Sequence, residues 1–237
     1  NLEIDLPITA AITSKDYANY LLRGGLPGIF GIRDNTLIRQ SFETQLNTAL
    51  ERDLKLIIQS TLSYRQLRHL AVILASKVGQ PLELSPLSRE TRISVPTLQK
   101  LITAFEAMYL IRIIPTEGNQ KKPVIFFEDL GEANYLADIS RNEIQAFTAF
   151  LYSNLRVQIH YRPHKAVELF QFRNRGGALI PLCFRSQGQI LGILPSLEET
   201  PSKTILGSAG SFLKTFKNAK VLIVHLGKSD RNLSQRL

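Results

Sequence analysis

The chain is nearly devoid of cysteine. Cys183 is the single cysteine among 237 residues, so no disulfide can form within the chain and no cysteine-based zinc site can be built. The absence of disulfides fits a reducing compartment, and we expect a cytoplasmic protein.

Long apolar runs are also missing. No run approaches the roughly 20 apolar residues that a transmembrane helix requires, so we expect no membrane partner. No signal peptide is recognisable, but the chain begins at Asn1 and could be a fragment of a longer protein. A hydrophobic fraction of 44% is sufficient for the cores of one large domain or two modest ones.

The sequence contains no loop for the phosphates of ATP. Such a loop has the form G-x-x-x-x-G-K-[ST], and no Lys-Ser/Thr follows the glycines at Gly24, Gly25, Gly28 and Gly31. The histidines of the segment HYRPHK lie among cations and lack nearby carboxylates. That setting favours a solvated basic turn over a metal site.

Acidic residues are in the minority. The chain has 29 basic and 20 acidic residues, a net charge of +9. The excess is uneven: the net charge is −1 over residues 1–60, +3 over 61–130 and +7 over 131–237. A basic chain favours polyanionic partners, because binding releases counterions.

Residues 63–128 have the pattern of a winged helix-turn-helix. Three helices are predicted, followed by two short strands: YRQLRHLAVILASKVG, SPLSRETR, SVPTLQKLITAFEAMYL, then IRIIPT and PVIFFE. A basic turn of Asn119, Gln120, Lys121 and Lys122 separates the strands. A unit of this kind inserts one helix into the DNA major groove and lays a hairpin beside it.

Local signals agree with these three helices. Ser63, Ser85 and Ser94 each precede an apolar-periodic run, where an N-cap belongs. Gly79 can end the first helix, and Gly118 can supply a positive φ in the hairpin turn.

The third helix is predicted to have an apolar face and a polar face. The polar side chains are of the kind that reach phosphates and base edges. The candidate DNA contacts are Arg89, Arg92, Thr97, Gln99 and Lys100, with Arg112, Lys121 and Lys122 as wing contacts to phosphate. Winged helices also serve as protein-binding modules, and Lys100 could belong to an ordinary solvated face.

Regular elements are predicted on both sides of this segment. Helices are expected at residues 14–22, 35–59, 129–136 and 141–156. Strands are expected at VQIHYR, AVELFQF and ALIPLCFRS, followed by a helix at SAGSFLKTFKN and a buried strand at AKVLIVHLG. The order helix, three strands, helix, strand predicts a second, α/β domain from about residue 132.

Three short motifs carry a family resemblance: YLLRGGLP, ERDL at Glu51–Leu54, and VIFFEDLG at the end of the winged helix. With them, nearly the whole chain resembles the C-terminal half of a group of bacterial and archaeal AAA-type ATPases, catalogued as domain of unknown function DUF4143. In those proteins an ATPase module lies upstream.

The resemblance implies a second domain similar to the restriction-endonuclease-like (PD-(D/E)XK) fold, in which two strand carboxylates hold Mg²⁺ and a lysine helps to activate water. The helix acid is best matched by Glu143 and the first strand acid by Glu168. In PLCFRS, Cys183 replaces the second acid and Arg185 replaces the lysine. Cys is a poor Mg²⁺ ligand and Arg differs from Lys in geometry, so we expect this fold without metal-dependent hydrolysis.

Two of these residues also have simple structural interpretations. Glu168 could be an ordinary strand carboxylate paired with Lys165 or Arg173. Cys183 could pack as a small buried apolar residue.

We therefore expect an α/β fold, α+β overall, in three segments: a helical segment at 1–62, a winged helix-turn-helix at 63–131, and a degenerate restriction-endonuclease-like domain at 132–237. The expected function is non-catalytic binding of duplex DNA, or regulation, within an AAA-type ATPase-like protein. A protein-interaction module and a Mg²⁺-dependent nuclease with an atypical site are the alternatives. No cofactor is expected in this chain, since ATP would bind only an upstream domain and Mg²⁺ only an active nuclease site.

Overall fold

The computed structural model describes residues 14–160 and 166–227. A helical N-terminal part is followed by a sheet-containing part, which confirms the predicted mixed α/β class. The chain divides into a helical unit, residues 14–113 with Val124–Ser153, and a sheet unit, Ile114–Pro123 with the described part of 154–227. The three predicted segments remain a prediction. None of the described helices combines the length and the apolar character that crossing a bilayer requires.

The helical unit begins with α1 (Ser14–Arg23), α2 (Pro27–Phe30), α3 (Asn35–Thr48), a π-helical stretch (Ala49–Asp53) and α4 (Leu54–Ile57). The buried stripe of the long helix recurs every four residues: Ile38, Phe42, Leu46, Leu50 and Leu54. A repeat of four exceeds the 3.6 residues of an α-helical turn, so the stripe would rotate away from the core. The wider π turn keeps the stripe buried.

The three helices predicted within residues 63–128 are present as α5 (Tyr64–Ser76), α6 (Leu84–Thr91) and α7 (Val95–Ala107). Ser63 caps α5 in a capping box and Ser94 caps α7, as predicted. The predicted cap at Ser85 is wrong. Glu83 occupies the N-cap position of α6, because the helix begins at Leu84 and places Ser85 in its first turn.

The motifs RGG and EDLG, distant in sequence, dock against each other in the helical unit. Asp129 caps α8 (Leu130–Ala137) through the Glu132 N–H and also accepts the N–H of Gly25 at 2.7 Å. Gly24 has φ +64°, and a Cβ on Gly131 would lie 2.3 Å from the Gly24 nitrogen. Glycine is therefore required on both sides of this contact.

The predicted wing hairpin is divided between the two units. β1 (Ile111–Ile114) and β3 (Val124–Phe127) form a two-stranded sheet, and the Glu128 N–H donates to the Leu110 carbonyl at 3.1 Å. Between them β2 (Thr116–Gly118) pairs in parallel with a strand of the sheet unit. The prediction that residues 119–122 form the turn of a simple hairpin is wrong. The residues just before them form β2, which is hydrogen-bonded to the five-stranded sheet and not to β1 or β3.

The sheet unit contains the end of α9 (Glu143–His160), then β4 (Glu168–Arg173), β5 (Leu179–Ser186), β6 (Gln189–Ser196), α10 (Lys203–Thr215) and β7 (Ala219–His225). The strand order is β2-β4-β5-β6-β7. β4, β5 and β6 are antiparallel neighbours, whereas β2 and β7 join the edges in parallel. β7 is thus a half-buried edge strand rather than the buried strand that was predicted.

Two of the three predicted strands are present as β4 and β5, followed by the predicted helix α10 and strand β7, but the first predicted strand is wrong and one strand was not predicted. Residues 157–160 of the segment VQIHYR continue α9 instead of forming a strand, and residues 161–165 lie outside the described part. The third strand is β6, which the sequence analysis missed because Gly192 and Pro195 weaken its strand pattern. Gly192 is needed there, since a Cβ would lie 2.9 Å from the Phe212 ring.

Candidate nucleic-acid interface

The turn between α6 and α7 is short and held by side chains. Arg92 ends α6 in the left-handed region, with φ 57°. The Thr91 hydroxyl donates to the Leu87 carbonyl at 2.7 Å and accepts the Ile93 N–H at 3.3 Å. The Ser88 hydroxyl donates to the Ile93 carbonyl at 2.6 Å. These bonds fix the orientation of α7 relative to α6.

The outer side of this helix-turn-helix is positively charged. Arg89, Arg92 and Lys100 are exposed, and no ion pair to any of them is found among the described residues. The neighbouring carboxylate of Glu90 is paired with Lys77 at 3.6 Å. The three cations therefore remain available to an anionic ligand.

The other candidate side chains on α7 differ in their availability. Gln99 is exposed, but the Thr97 hydroxyl lies 2.8 Å from the Ser94 hydroxyl and is engaged in capping the helix. Thr103 is exposed on the same polar side and was not among the predicted contacts. The apolar face of α7 is buried at Leu98, Leu101 and Phe105, which leaves the polar face outward.

Arg112 is engaged within the helical unit. Its guanidinium binds the Glu128 carboxylate, with Nη2 to Oε1 at 3.0 Å, and lies 3.9 Å from Glu106. Glu106 also accepts the Ile113 N–H at 3.1 Å. The side chain that was predicted to contact phosphate thus holds β1 against α7 and β3.

The wing lysines lie in the other unit. Lys121 and Lys122 are exposed and follow β2, where the Asn119 amide donates to the Asn174 side chain at 2.8 Å. Arg89, Arg92 and Lys100 lie in the helical unit. The structure therefore groups the predicted contacts into two separate sets.

The residues matched to a nuclease site are likewise not all brought together. Glu143 is exposed at the start of α9 in the helical unit, whereas Glu168, Cys183 and Arg185 lie on neighbouring strands of the sheet unit. Cys183 is fully buried, and burial raises the pKa of its thiol far above the ordinary range. Its thiol is therefore an inert part of the core.

Arg185 binds two carboxylates on two neighbouring strands. It makes a bidentate pair with Glu117 on β2, at 2.8 and 2.7 Å, and a single bond to Glu168 on β4 at 3.0 Å. Glu168 is thus paired with Arg185, its cross-strand neighbour. The predicted partner Lys165 lies outside the described residues, and no ion pair with Arg173 is found among the described ones. The hydrogen bonds that Arg185 donates to Glu117, more than the one it donates to Glu168, hold the pKa of Arg185 above its usual range.

The guanidinium of Arg185 also lies over the Phe170 ring, at 4.7 Å. Glu117 was missed by the sequence analysis, because no local pattern indicates that β2 joins this sheet. Among the described residues, no group of three or more His, Cys, Asp or Glu side chains is placed to hold a metal ion.

A second feature missed in the sequence is an exposed apolar end of the long helix. Leu56 is 82% exposed and Ile57 is 44% exposed. The stripe ends at Leu54, because the chain leaves the helix at Ile58 in an extended conformation.

Comparisons with known proteins identify one family. The family model described as a domain of unknown function, DUF8612, matches residues 14–143. No curated protein and no solved structure matches the chain. The predicted membership of the ATPase-associated family DUF4143 is wrong, since a different family matches and no AAA-type ATPase family does. Within this chain, the motifs RGG and EDLG contact each other.

Proposed function

The chain belongs to the family described as a domain of unknown function, DUF8612, and we propose that it binds duplex DNA through α6 and α7 without catalysing a reaction. The observation that carries the proposal is the set of exposed, unpaired cations around the turn: Arg89, Arg92 and Lys100. Helix-turn-helix proteins place the N-terminal part of the second helix in the major groove.

The chemistry of each side chain supports a division of roles. Arg89 and Arg92 precede α7 and suit phosphate contacts, which position the protein on the duplex. Gln99 and Lys100 lie on the polar face of α7, and side chains of these types bind adenine and guanine edges. Arg112 is excluded from the proposed contacts, because Glu128 occupies its guanidinium.

A nuclease reaction is not proposed. The carboxylates of Glu117 and Glu168 are both bound by Arg185, so a divalent cation would have to displace a bidentate ion pair. The proposal is accordingly one of binding alone.

The test is the affinity for a labelled duplex, measured by fluorescence anisotropy at several salt concentrations. We expect the Lys100→Gln variant to bind more weakly and to reduce the slope of log affinity against log salt by about one. No binding at low salt, or an affinity that does not change with salt, would contradict the proposal.

Arg33→Gln is the matched control for loss of one charge. Arg33 is exposed and precedes the long helix, whose opposite end, α4, packs against α7. The helix spans roughly 30 Å at 1.5 Å per residue, so Arg33 lies far from the proposed surface. If Arg33→Gln weakened duplex binding as much as Lys100→Gln does, the loss would reflect the net charge of the protein and not a contact made by Lys100.

A second candidate function is the binding of another protein through the end of the long helix. Leu56 and Ile57 are exposed there, and a large apolar side chain that is 82% exposed loses favourable burial energy unless a partner covers it. The Leu56→Glu variant separates the two candidates. It would abolish a protein contact and leave the affinity for DNA unchanged apart from a small charge effect.

A further inference from the structure

The sheet unit carries most of the net positive charge of the described residues. It has ten basic residues, a set that includes Lys214, Lys217 and Lys220, and four acidic residues, a net charge of +6. Glu168 lies at the same end of the sheet as Ala219, but its carboxylate is bound by Arg185. Glu117 binds Arg185 as well, and Glu198 and Glu199 follow the other end of β6.

One end of the sheet places Lys220 beside a pocket. β5 ends at Ser186, whereas β6 begins at Gln189 and β7 begins at Ala219, so these three termini meet at one end. The pocket has a volume of about 450 Å³ and is lined by Gln187, Gly188, Gln189, Ile190, Leu191, Asn218 and Lys220. This volume is in the range of small-ligand sites, which is roughly 300–1,000 Å³.

The walls of the pocket are set by strand geometry. Gln187 and Gly188 form the β5–β6 turn with φ 50° and 76°, and Lys220 is the register partner of Leu191. In-register partners point to the same face of a sheet, so the lysine stem lies beside the leucine. Lys220, Asn218 and Gln187 have no side-chain hydrogen bond or ion pair within the described part of the chain.

We propose that this pocket binds one nucleotide unit, with its phosphate on the Lys220 ammonium and its base or sugar against Leu191 and the amides of Gln187 and Asn218. A lysine ammonium is a point charge that suits phosphate, and side-chain amides pair with the donors and acceptors of base edges. Lys217 is exposed in the turn that precedes β7 and offers a second cation for an adjoining phosphate. The site lies beyond the proposed function, because it uses none of α6 or α7.

The test uses the full chain and two probes, AMP and a labelled single-stranded 12-mer of thymidine, at low and moderate salt. We expect Lys220→Gln to weaken the binding of both probes by at least about five-fold. The slope of log affinity against log salt for the 12-mer should fall by about 0.7. Lys203→Gln is the matched control, because Lys203 is an exposed lysine at the opposite end of α10. Equal losses in the two variants would overturn the site.

A second pair of substitutions leaves the net charge unchanged. The double variant Gln187→Ala with Asn218→Ala should weaken the binding of AMP by about five-fold and leave the binding of inorganic phosphate unchanged, because only the base and sugar contacts are removed. Unchanged AMP binding in this variant, or no binding of AMP and of the 12-mer to the unaltered protein, would overturn the proposal.

The source of the nucleotide follows from comparing the probes. If AMP binds and the 12-mer does not, the ligand is a free nucleotide, and if the 12-mer binds more tightly than AMP, the ligand is a strand; both results support the site. Lys100→Gln should leave AMP binding unchanged, so failure of the helix-turn-helix proposal is distinguishable from failure of this one.

Discussion

At the scale of single residues, Glu132 is the least exposed acidic side chain of the described chain, at 3%. Burial, with a smaller contribution from the charge of Asp129, raises the pKa of Glu132 to about 8. Glu132 is therefore mostly protonated in the folded protein at neutral pH, whereas it ionises near pH 4.5 when exposed.

This shift predicts a loss of stability as the pH rises. Between the ordinary pKa of 4.5 and the folded value of about 8, the folded state holds a proton that the unfolded state has released. The free energy of unfolding should therefore fall with pH across that window, by about 1.4 kcal/mol per unit at most. Glu132→Gln should remove much of this slope, as measured by urea unfolding at pH 5 and pH 8.

Glu51→Gln, a change at an exposed carboxyl, is the control for this experiment. It should leave the slope as in the unaltered protein. The raised pKa of buried Asp129 acts in the same direction, so part of the slope should survive in Glu132→Gln. A variant with the full slope would show that Glu132 is ionised in the folded state.

At the scale of elements, the turn of the helix-turn-helix combines strain with a candidate binding residue. Arg92 has φ 57°, a conformation that costs a residue with a Cβ about 1–2 kcal/mol. Glycine would relieve this strain but would remove the cation. The position is therefore one at which stability and the proposed function oppose each other.

Arg92→Gly should raise the free energy of unfolding and weaken duplex binding. The expected gain is about 0.5–1 kcal/mol, because the freedom of glycine in the unfolded chain offsets part of the relief. Arg92→Ala is the matched variant, since it removes the same cation and keeps the strain. Fluorescence anisotropy should show equal losses of duplex binding in the two variants. Thermal unfolding should show a gain of stability only in Arg92→Gly.

At the scale of the whole molecule, the segment between β1 and β3 links the two units. The chain leaves the helical unit after Ile113, contributes β2 to the sheet unit, and returns at Val124. Residues 115–118 supply the edge strand β2, and the Pro115 carbonyl accepts the Gln171 N–H at 2.8 Å. They also supply the Glu117 carboxylate that binds Arg185. The segment that was predicted to belong to the wing thus completes the five-stranded sheet.

Replacing residues 115–122 with a short Gly-Ser turn should destabilise the sheet unit by about 2 kcal/mol, since its edge strand and an ion pair are lost. Amide hydrogen exchange is the measurement, and the Gln171 N–H should lose protection while the amides of α5 keep theirs. Inserting two glycines at the exposed Gly176–Gly177 turn is the control and should have little effect. Unchanged protection of Gln171 would mean that β2 contributes nothing to this sheet.

Most of the helices could be predicted from the sequence, because their signals are local. Ser63, Ser94 and Asp129 each cap a helix at the predicted place, and the stripe from Ile38 to Leu54 marks the face that is buried. β6 was missed because Gly192, which packs against the Phe212 ring, resembles a turn residue. The end of α9 was mistaken for a strand because it contains β-branched residues. The candidate contacts Arg89, Arg92 and Lys100 were identified by sequence, whereas the engagement of Arg112 by Glu128 was not.

The sequence by itself determined the mixed α/β class, the helices α5, α6 and α7, and the excess of positive charge, because caps, periodicity and composition do not depend on contacts between distant residues. Tertiary structure decided that β2 joins the second sheet, that Glu117 and Glu168 share Arg185, and that Gly24 and Gly131 meet at Asp129. It also decided that Lys220 stands beside a pocket at the β5–β6 turn. These are pairings between residues distant in the chain, and their energy depends on which surfaces meet rather than on any local pattern.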